Sequence, residues 1–345
     1  MDPAEALLGQ AVQVIRDAAC EHDYEAVWPL LLQIAQDGAA AMRLAAALLA
    51  SGDPAERAVA CDLLGVTADR HETQRGAAAS ALLRLGASER DGDVQWSMAR
   101  ALGATADARA VPLLVRLGGH ADPDIRYQVA LSLPPVWSGD PAGAEVLTLI
   151  ALTADADGRV RDWATFGLGS QLAEADTATI RAALWERTFD DDPDVREEGI
   201  CGLARRRDRR SVSLMAGLLA AEDGVHDLVF CAAAVLGASE LLPLLEEFDD
   251  VGPVQEALAE CDPVARGRRD QFAWSLLCAL NRQQPAIDAG VSAYRHQAGL
   301  ELTVRVSGTR LTWSTDALAR RADGDPERAA ALVAADLPPR SIDRY

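Results

Sequence analysis

Five histidines and six cysteines are the side chains best suited to hold a metal or act as nucleophiles, and their spacing argues against both roles. His71-Glu72 is a single His–Glu pair, while His22, His120, His226 and His296 lie far apart along the chain. That is too few ligands for a carboxylate–histidine metal site. Cys20, Cys61, Cys201, Cys231, Cys261 and Cys278 form no C-x-x-C pair and no zinc spacing. They read as buried free thiols of a reducing compartment. No nucleophile elbow, Walker loop or dinucleotide glycine motif occurs. Asp190-Asp191-Asp192 with Asp194 lacks the calcium-loop spacing and its closing Glu, so these acids are expected to cap a helix. Arg205-Arg206-Arg207-Asp208-Arg209-Arg210, with Arg266, Arg268 and Arg269, is the one candidate anion patch. Cations near a helix C-terminus in a solvated turn account for it better. The expectation is no catalytic residue, no metal and no cofactor.

The elements that carry these residues are set by composition and repeat. Of 345 residues, 49% are hydrophobic and 25% charged, which is ordinary globular usage. The formal charge is −20, and all 33 basic residues are Arg. Such a charge repels phosphate backbones and anionic lipid, so nucleic acid and membranes are not expected partners. Missing Lys and a lone Asn281 fit GC-rich bacterial coding. The start Met1-Asp2-Pro3-Ala4-Glu5 has no basic secretion signal, and no apolar run reaches about 18 residues, so a cytoplasmic protein is expected.

One phrase recurs. Counting an Asp as position zero, a β-branched residue follows at plus three, often Arg at plus four, then Leu and a small residue at plus eleven and twelve. The copies start at Asp53, Asp91, Asp122, Asp157, Asp192 and Val225, at steps of 38, 31, 35, 35 and 33 residues. Asp122-Pro123-Asp124-Ile125-Arg126 runs to Leu133-Pro134, and Asp157-Gly158-Arg159-Val160-Arg161 runs to Leu168-Gly169. Asp would cap the helix, Pro would fit its first turn and Gly would end it. Positions plus three, seven and eleven form one apolar stripe. A second amphipathic stretch lies between copies, such as Ala110–Leu117 and Glu145–Thr153. A period in this range means stacked helical hairpins.

The run Asp93-Val94 … Ala101-Leu102-Gly103 … Asp107-Ala108-Arg109-Ala110-Val111-Pro112-Leu113-Leu114 resembles the short bacterial HEAT repeats, the type also found in phycobilisome lyase subunits. The resemblance implies an all-α fold, a right-handed α-solenoid of HEAT-like hairpins. It also implies a ladder of turn Asp and helix Arg between neighbours, by position Asp122, Asp157 and Asp192 with Arg126, Arg161 and Arg196, interrupted at Asp91 and Val225. In that family the phrase helices line the concave face. Position plus five holds Trp96, Tyr127, Asp162, Glu197 and Phe230; plus six holds Trp163 and Glu198; plus nine holds Arg100 and Phe166. Aromatic rings beside carboxylates suit a peptide or a cationic group. The same rings could instead fill space between adjacent helices. The expected partner-binding set is Trp96, Arg100, Tyr127, Asp162, Trp163, Phe166, Glu197 and Phe230.

The expected organisation is an N-terminal helical cap over 1–52, HEAT-like repeats over 53–250, a degenerate terminal repeat over 251–290 and a small module over 291–345. The cap reads as helices over 3–20, 24–36 and 39–50. In the last module Leu300–Val306 and Thr309–Ser314 alternate with period two around Ser307-Gly308, a β-hairpin pairing Val304 with Leu311 and Leu302 with Trp313. A short helix is expected after Pro285, and two more after the hairpin, the second capped by Asp325. The functional expectation is a non-catalytic scaffold that binds a protein or peptide, with self-association through the hairpin as a further contact. The alternatives are a modifying enzyme of the phycobilisome lyase kind and a HEAT-like nucleic-acid-binding or repair protein; the latter would need a basic groove where this chain carries Asp162, Glu197 and Glu198.

Overall fold

In the computed structural model, which describes residues 3–17, 25–221, 224–249, 252–285, 287–306 and 308–338, the chain divides into two units, Met1–Gly199 and Ile200–Tyr345. Cys20 and His22 lie outside the described residues. The first unit opens with α1 (Pro3–Asp17), α2 (Val27–Ile34) and α3 (Gly38–Leu48). Then phrase helices and intervening helices alternate: α4 (Pro54–Arg70), α5 (Arg75–Gly86), α6 (Gly92–Ala104), α7 (Val111–Leu117), α8 (Pro123–Ser132), α9 (Ala144–Leu152), α10 (Gly158–Phe166), α11 (Ala178–Arg187) and α12 (Pro193–Arg205).

Each phrase helix starts where its Asp requires. The carboxylates of Asp53, Asp91, Asp122, Asp157 and Asp192 each accept a backbone N–H of the first turn, at 2.9–3.2 Å. The stripe is core: Val94, Met98 and Leu102, then Ile125, Val129 and Leu133, then Val160, Ala164 and Leu168, are all buried. Each large side chain so buried contributes about 1.5–3 kcal/mol. Helices α4, α6, α8 and α10 pack in succession, each against the next.

The small residue at plus twelve stops some phrase helices as expected, with Gly92–Ala104 ending one residue past Gly103 and Gly237 left-handed at the end of the helix Asp227–Leu236, but it does not stop them all. Helix α4 continues past Gly65 to Arg70. A Cβ on Gly65 would lie 3.0 Å from the Cα of Ala101, and one on Gly103 would lie 2.9 Å from the Cα of Ser132. These glycines let neighbouring phrase helices touch backbone to backbone. Gly169 falls in a π-turn, Gly167–Gln171, that prolongs α10.

A ladder joins the repeats, but its acids are not the expected ones. The capping aspartates are occupied by their own helices. Arg126 instead donates to Asp155 through Nε (2.7 Å) and Nη2 (2.8 Å), and Arg161 donates to Asp190 in the same way, at 3.0 Å each. Arg57 does so to Glu89. Each of these acids sits two residues before the next cap and also accepts that cap residue's N–H. The Arg Nη1 groups of Arg57, Arg126, Arg161 and Arg196 donate to carbonyls of the turn that precedes their own helix. The Arg126 hydrogen bonds hold Asp155 below the ordinary carboxylate range against the opposing effect of burial. The ladder is interrupted at α6 as expected. There Gln95 donates to the Glu89 carbonyl, and His120, in the acid's place, accepts the Asp122 N–H on Nδ1.

The second unit holds α13 (Ser211–Leu219), α14 (Asp227–Leu236), α15 (Leu242–Leu245), α16 (Gly252–Cys261) and α17 (Pro263–Gln283). Strands β1 (Asp288–Ala293), β2 (Leu300–Val306) and β3 (Thr309–Ser314) form an antiparallel sheet in the order β1-β2-β3, followed by α18 (Thr315–Arg321) and α19 (Pro326–Asp336). Val304 pairs with Leu311 and Leu302 with Trp313, as the alternation predicts, and Asp325 caps α19. The short helix expected after Pro285 is strand β1 instead. Ile287, Ala289 and Val291 alternate with polar or small residues, and all three pack on the core that Leu302, Val304, Leu276, Leu280 and Leu318 share.

Candidate binding face

The residues expected to form one partner surface separate into two aromatic clusters of the first unit and one core residue of the second. The first cluster is centred on Arg100, with Trp28, Trp96 and Arg100 all half-buried. The Arg100 guanidinium lies 3.8 Å from the Trp28 ring centroid and 4.8 Å from that of Trp96, and it forms an ion pair with the buried Asp62. Asp62 also accepts from Ser97 Oγ at 3.4 Å. Arg100 is therefore satisfied from inside the protein, clamped between two indoles over a carboxylate. Asp62 and Trp28 are absent from the expected set. The signal for Asp62 was available: it occupies plus nine of the Asp53 copy, the column of Arg100 in the next. Trp28 precedes the first phrase and has no column to reveal it.

The second cluster spans α8 and α10. Tyr127 meets Trp163 edge to face at 6.1 Å between centroids, and Trp163 meets Phe166 likewise at 5.6 Å. All three rings are half-buried. Arg159 lies 5.7 Å from the Tyr127 ring and pairs with Asp124 at 2.7 Å. Asp162 is half-buried beside this cluster. Burial first, then the charges of Asp194 and Asp192, push its carboxyl up to about 6. On α12, Glu197 and Glu198 are half-buried, and Glu198 accepts from Ser170 Oγ at 3.4 Å.

Phe230 corrects the expected set. It is 4% exposed in the core of the second unit, its ring edge to face with Phe248 at 4.9 Å. The reason is register. Helix α14 is capped at His226, one residue after the Val225 taken as position zero. Counted from His226, the buried Val229 takes the β-branched place and Phe230 takes the Arg place at plus four.

The Arg run is engaged within the second unit. Arg206 is buried and donates to the Gly202 carbonyl, Arg207 donates to the Tyr294 carbonyl, Arg209 pairs with Glu240, and Arg210 pairs with Asp208 at 2.7 Å. Among the described residues no group of three or more His, Cys, Asp or Glu could hold a metal ion, and no helix is long and apolar enough to cross a membrane.

Residues 79–169 match the model of the family described as HEAT repeats. Protein YibA of Escherichia coli (strain K12) is 36% identical over 111 residues, 31% of this chain and 39% of YibA. The match thus spans about two fifths of the relative's length. The crystal structure of the E. coli YibA protein superposes over 75% of this chain and 97% of its own, with a TM-score of 0.54 and 22% identity. The crystal structure of Kap121p covers 93% of this chain and 40% of its own, with a TM-score of 0.54 and 13% identity. Both likenesses show the fold, a helical-repeat solenoid.

Proposed function

We propose that this HEAT-repeat chain is a non-catalytic scaffold that binds a protein or peptide along the face made by α8, α10 and the first turns of α12. The observation that carries the reading is the Tyr127–Trp163–Phe166 cluster, which runs across two repeats and remains half-exposed beside the carboxylates of Asp162 and Glu197. Rings that only filled a seam would be covered like Phe230. Aromatic side chains at such a face supply large, rigid contact area and dominate binding energy where they are anchors. Stacked repeats characteristically present extended surfaces of this kind. Free Cys61, Cys201, Cys231, Cys261 and Cys278 support a reducing, cytoplasmic setting.

The test is affinity capture from the native host read by mass spectrometry, followed by titration of the purified partner against Trp163→Ala and Tyr127→Ala. Each change is expected to weaken binding by roughly 1–4 kcal/mol while circular dichroism stays native. Unchanged affinity in folded variants would remove this face from the reading.

A further inference from the structure

We infer that the partner presents an arginine or lysine side chain to this face, seated against Asp162 beside Tyr127, Trp163 and Phe166; the inference rests on the scaffold reading above.

Asp162 sits on α10 with Arg159 one turn before it and Phe166 one turn after. At that spacing Arg159 is the natural ion-pair partner. It is turned elsewhere: its Nη2 lies 2.7 Å from Asp124 and 3.5 Å from Asp157, with the guanidinium toward the Tyr127 ring. The other cations of these helices are committed too. Arg126 is held by Asp155, Arg161 by Asp190, and Arg196 by the carbonyls of Asp190 and Asp191. What faces Asp162 from α12 is negative: Asp192 and Asp194 act on it, and Glu197 takes the same column in the next repeat.

A half-buried carboxylate among acids, with no basic group among the described residues turned to it, disfavours its own ionisation, and burial with the nearby acids holds its carboxyl at about 6. An incoming guanidinium or ammonium supplies the missing countercharge, and the aromatic edges and faces give the cation and its stem a surface to lie on. The charge of −20 adds long-range attraction for a basic segment and repulsion for an acidic one. Charge complementarity therefore selects a basic polypeptide as the occupant.

The experiment is selection of a random dodecapeptide display library on the intact, immobilised protein at pH 7.5 and 0.15 M salt. Selected peptides are then synthesised and titrated against wild type, Asp162→Asn, Trp163→Ala and Tyr127→Ala. The expected result is enrichment of Arg or Lys next to an apolar residue. Affinity should fall about tenfold or more in Asp162→Asn, with no further loss when the peptide's basic residue is also replaced by Gln. In wild type, affinity should decline between pH 7 and 5 as Asp162 gains its proton, and Asp162→Asn should be flat over that range. Asp162→Asn should also melt no lower than wild type, because it removes an unfavourable charge; a structural carboxylate would make it melt lower. Peptides that depend on Trp163 or Tyr127 but not on Asp162 overturn the basic-partner inference and leave the scaffold reading standing. Selection that yields nothing sensitive to any of these changes overturns both.

Discussion

Asp155→Asn tests the ladder that joins the repeats. Asp155 accepts three hydrogen bonds: Arg126 Nε at 2.7 Å, Arg126 Nη2 at 2.8 Å and the Asp157 N–H at 2.9 Å. The side chains of Arg126 and Asp155 are 17% and 9% exposed. An exposed ion pair is worth about 0–1 kcal/mol, whereas breaking a buried one costs about 3–5. A bidentate pair at this depth falls between, so the loss should be about 2–3 kcal/mol. For a unit of this size that lowers Tm by roughly 4–12 °C. The natural control is Asp191→Asn, an exposed acid of the next turn, expected within about 0.5 kcal/mol of wild type. Urea unfolding followed by circular dichroism measures both. The pH dependence adds a sign. The folded-state carboxyl of Asp155 lies below its unfolded value of about 3.9, so its contribution is complete above that value and disappears as pH falls below it. Wild type and Asp155→Asn should therefore differ fully at pH 7 and converge below about pH 4. A variant no weaker than Asp191→Asn at pH 7 would refute the ladder as a stabilising device.

Three other outcomes follow from the same contacts. At the interrupted rung Gln95 is 7% exposed and its Oε1 has no hydrogen-bond partner; the pair Gln95→Arg with His120→Asp should be more stable than the two single changes sum to, by about 1–2 kcal/mol in a urea double-mutant cycle, and strict additivity would count against it. Leu302→Ala, at a fully buried site between α17 and the sheet, should cost about 2–5 kcal/mol in urea unfolding, with hydrogen exchange rising first in β1–β3. Because Arg206, Arg207, Arg209 and Arg210 are bonded internally, a labelled DNA duplex should bind no tighter than about 10⁻⁵ M at physiological salt by fluorescence anisotropy. Sub-micromolar binding abolished by replacing Arg205–Arg207 with Ala would reverse that expectation.

The repeats and the hairpin were legible because local chemistry dictates them. Asp followed by Pro sets a helix start from the nearest few residues, and alternation around Ser307-Gly308 sets strand register by counting. What could not be read was decided by contacts between repeats. Gly65 looks like a helix stop when the chain is read alone; only the backbone of Ala101 against it reveals why a side chain there would be crowded. The ladder acid was misplaced for the same reason, since Asp155 and Asp157 are the same residue type two places apart and only geometry across the turn tells them apart. The candidate face was half legible. Column counting brought Tyr127, Trp163 and Phe166 together, but could not tell that Arg100 was already clamped by Trp28 and Asp62, or that a one-residue offset in α14 carries Phe230 into the core.

The rung geometry also bears on how such a chain can grow or shrink. Cut from just after one capping aspartate through the next, the segment 123–157 contains Arg126, Asp155 and the Asp157 N–H together, so both halves of the rung travel with it. Excising it would set Asp122 before Gly158, leaving the Gln95 and His120 contacts on one side and Arg161–Asp190 on the other as they are. Inserting a second copy would add one complete rung. Recombination at a cap therefore keeps every half-buried rung whole and separates only the exposed pair of Arg159 with Asp124, so array length can drift during evolution without a compensating substitution in the ladder.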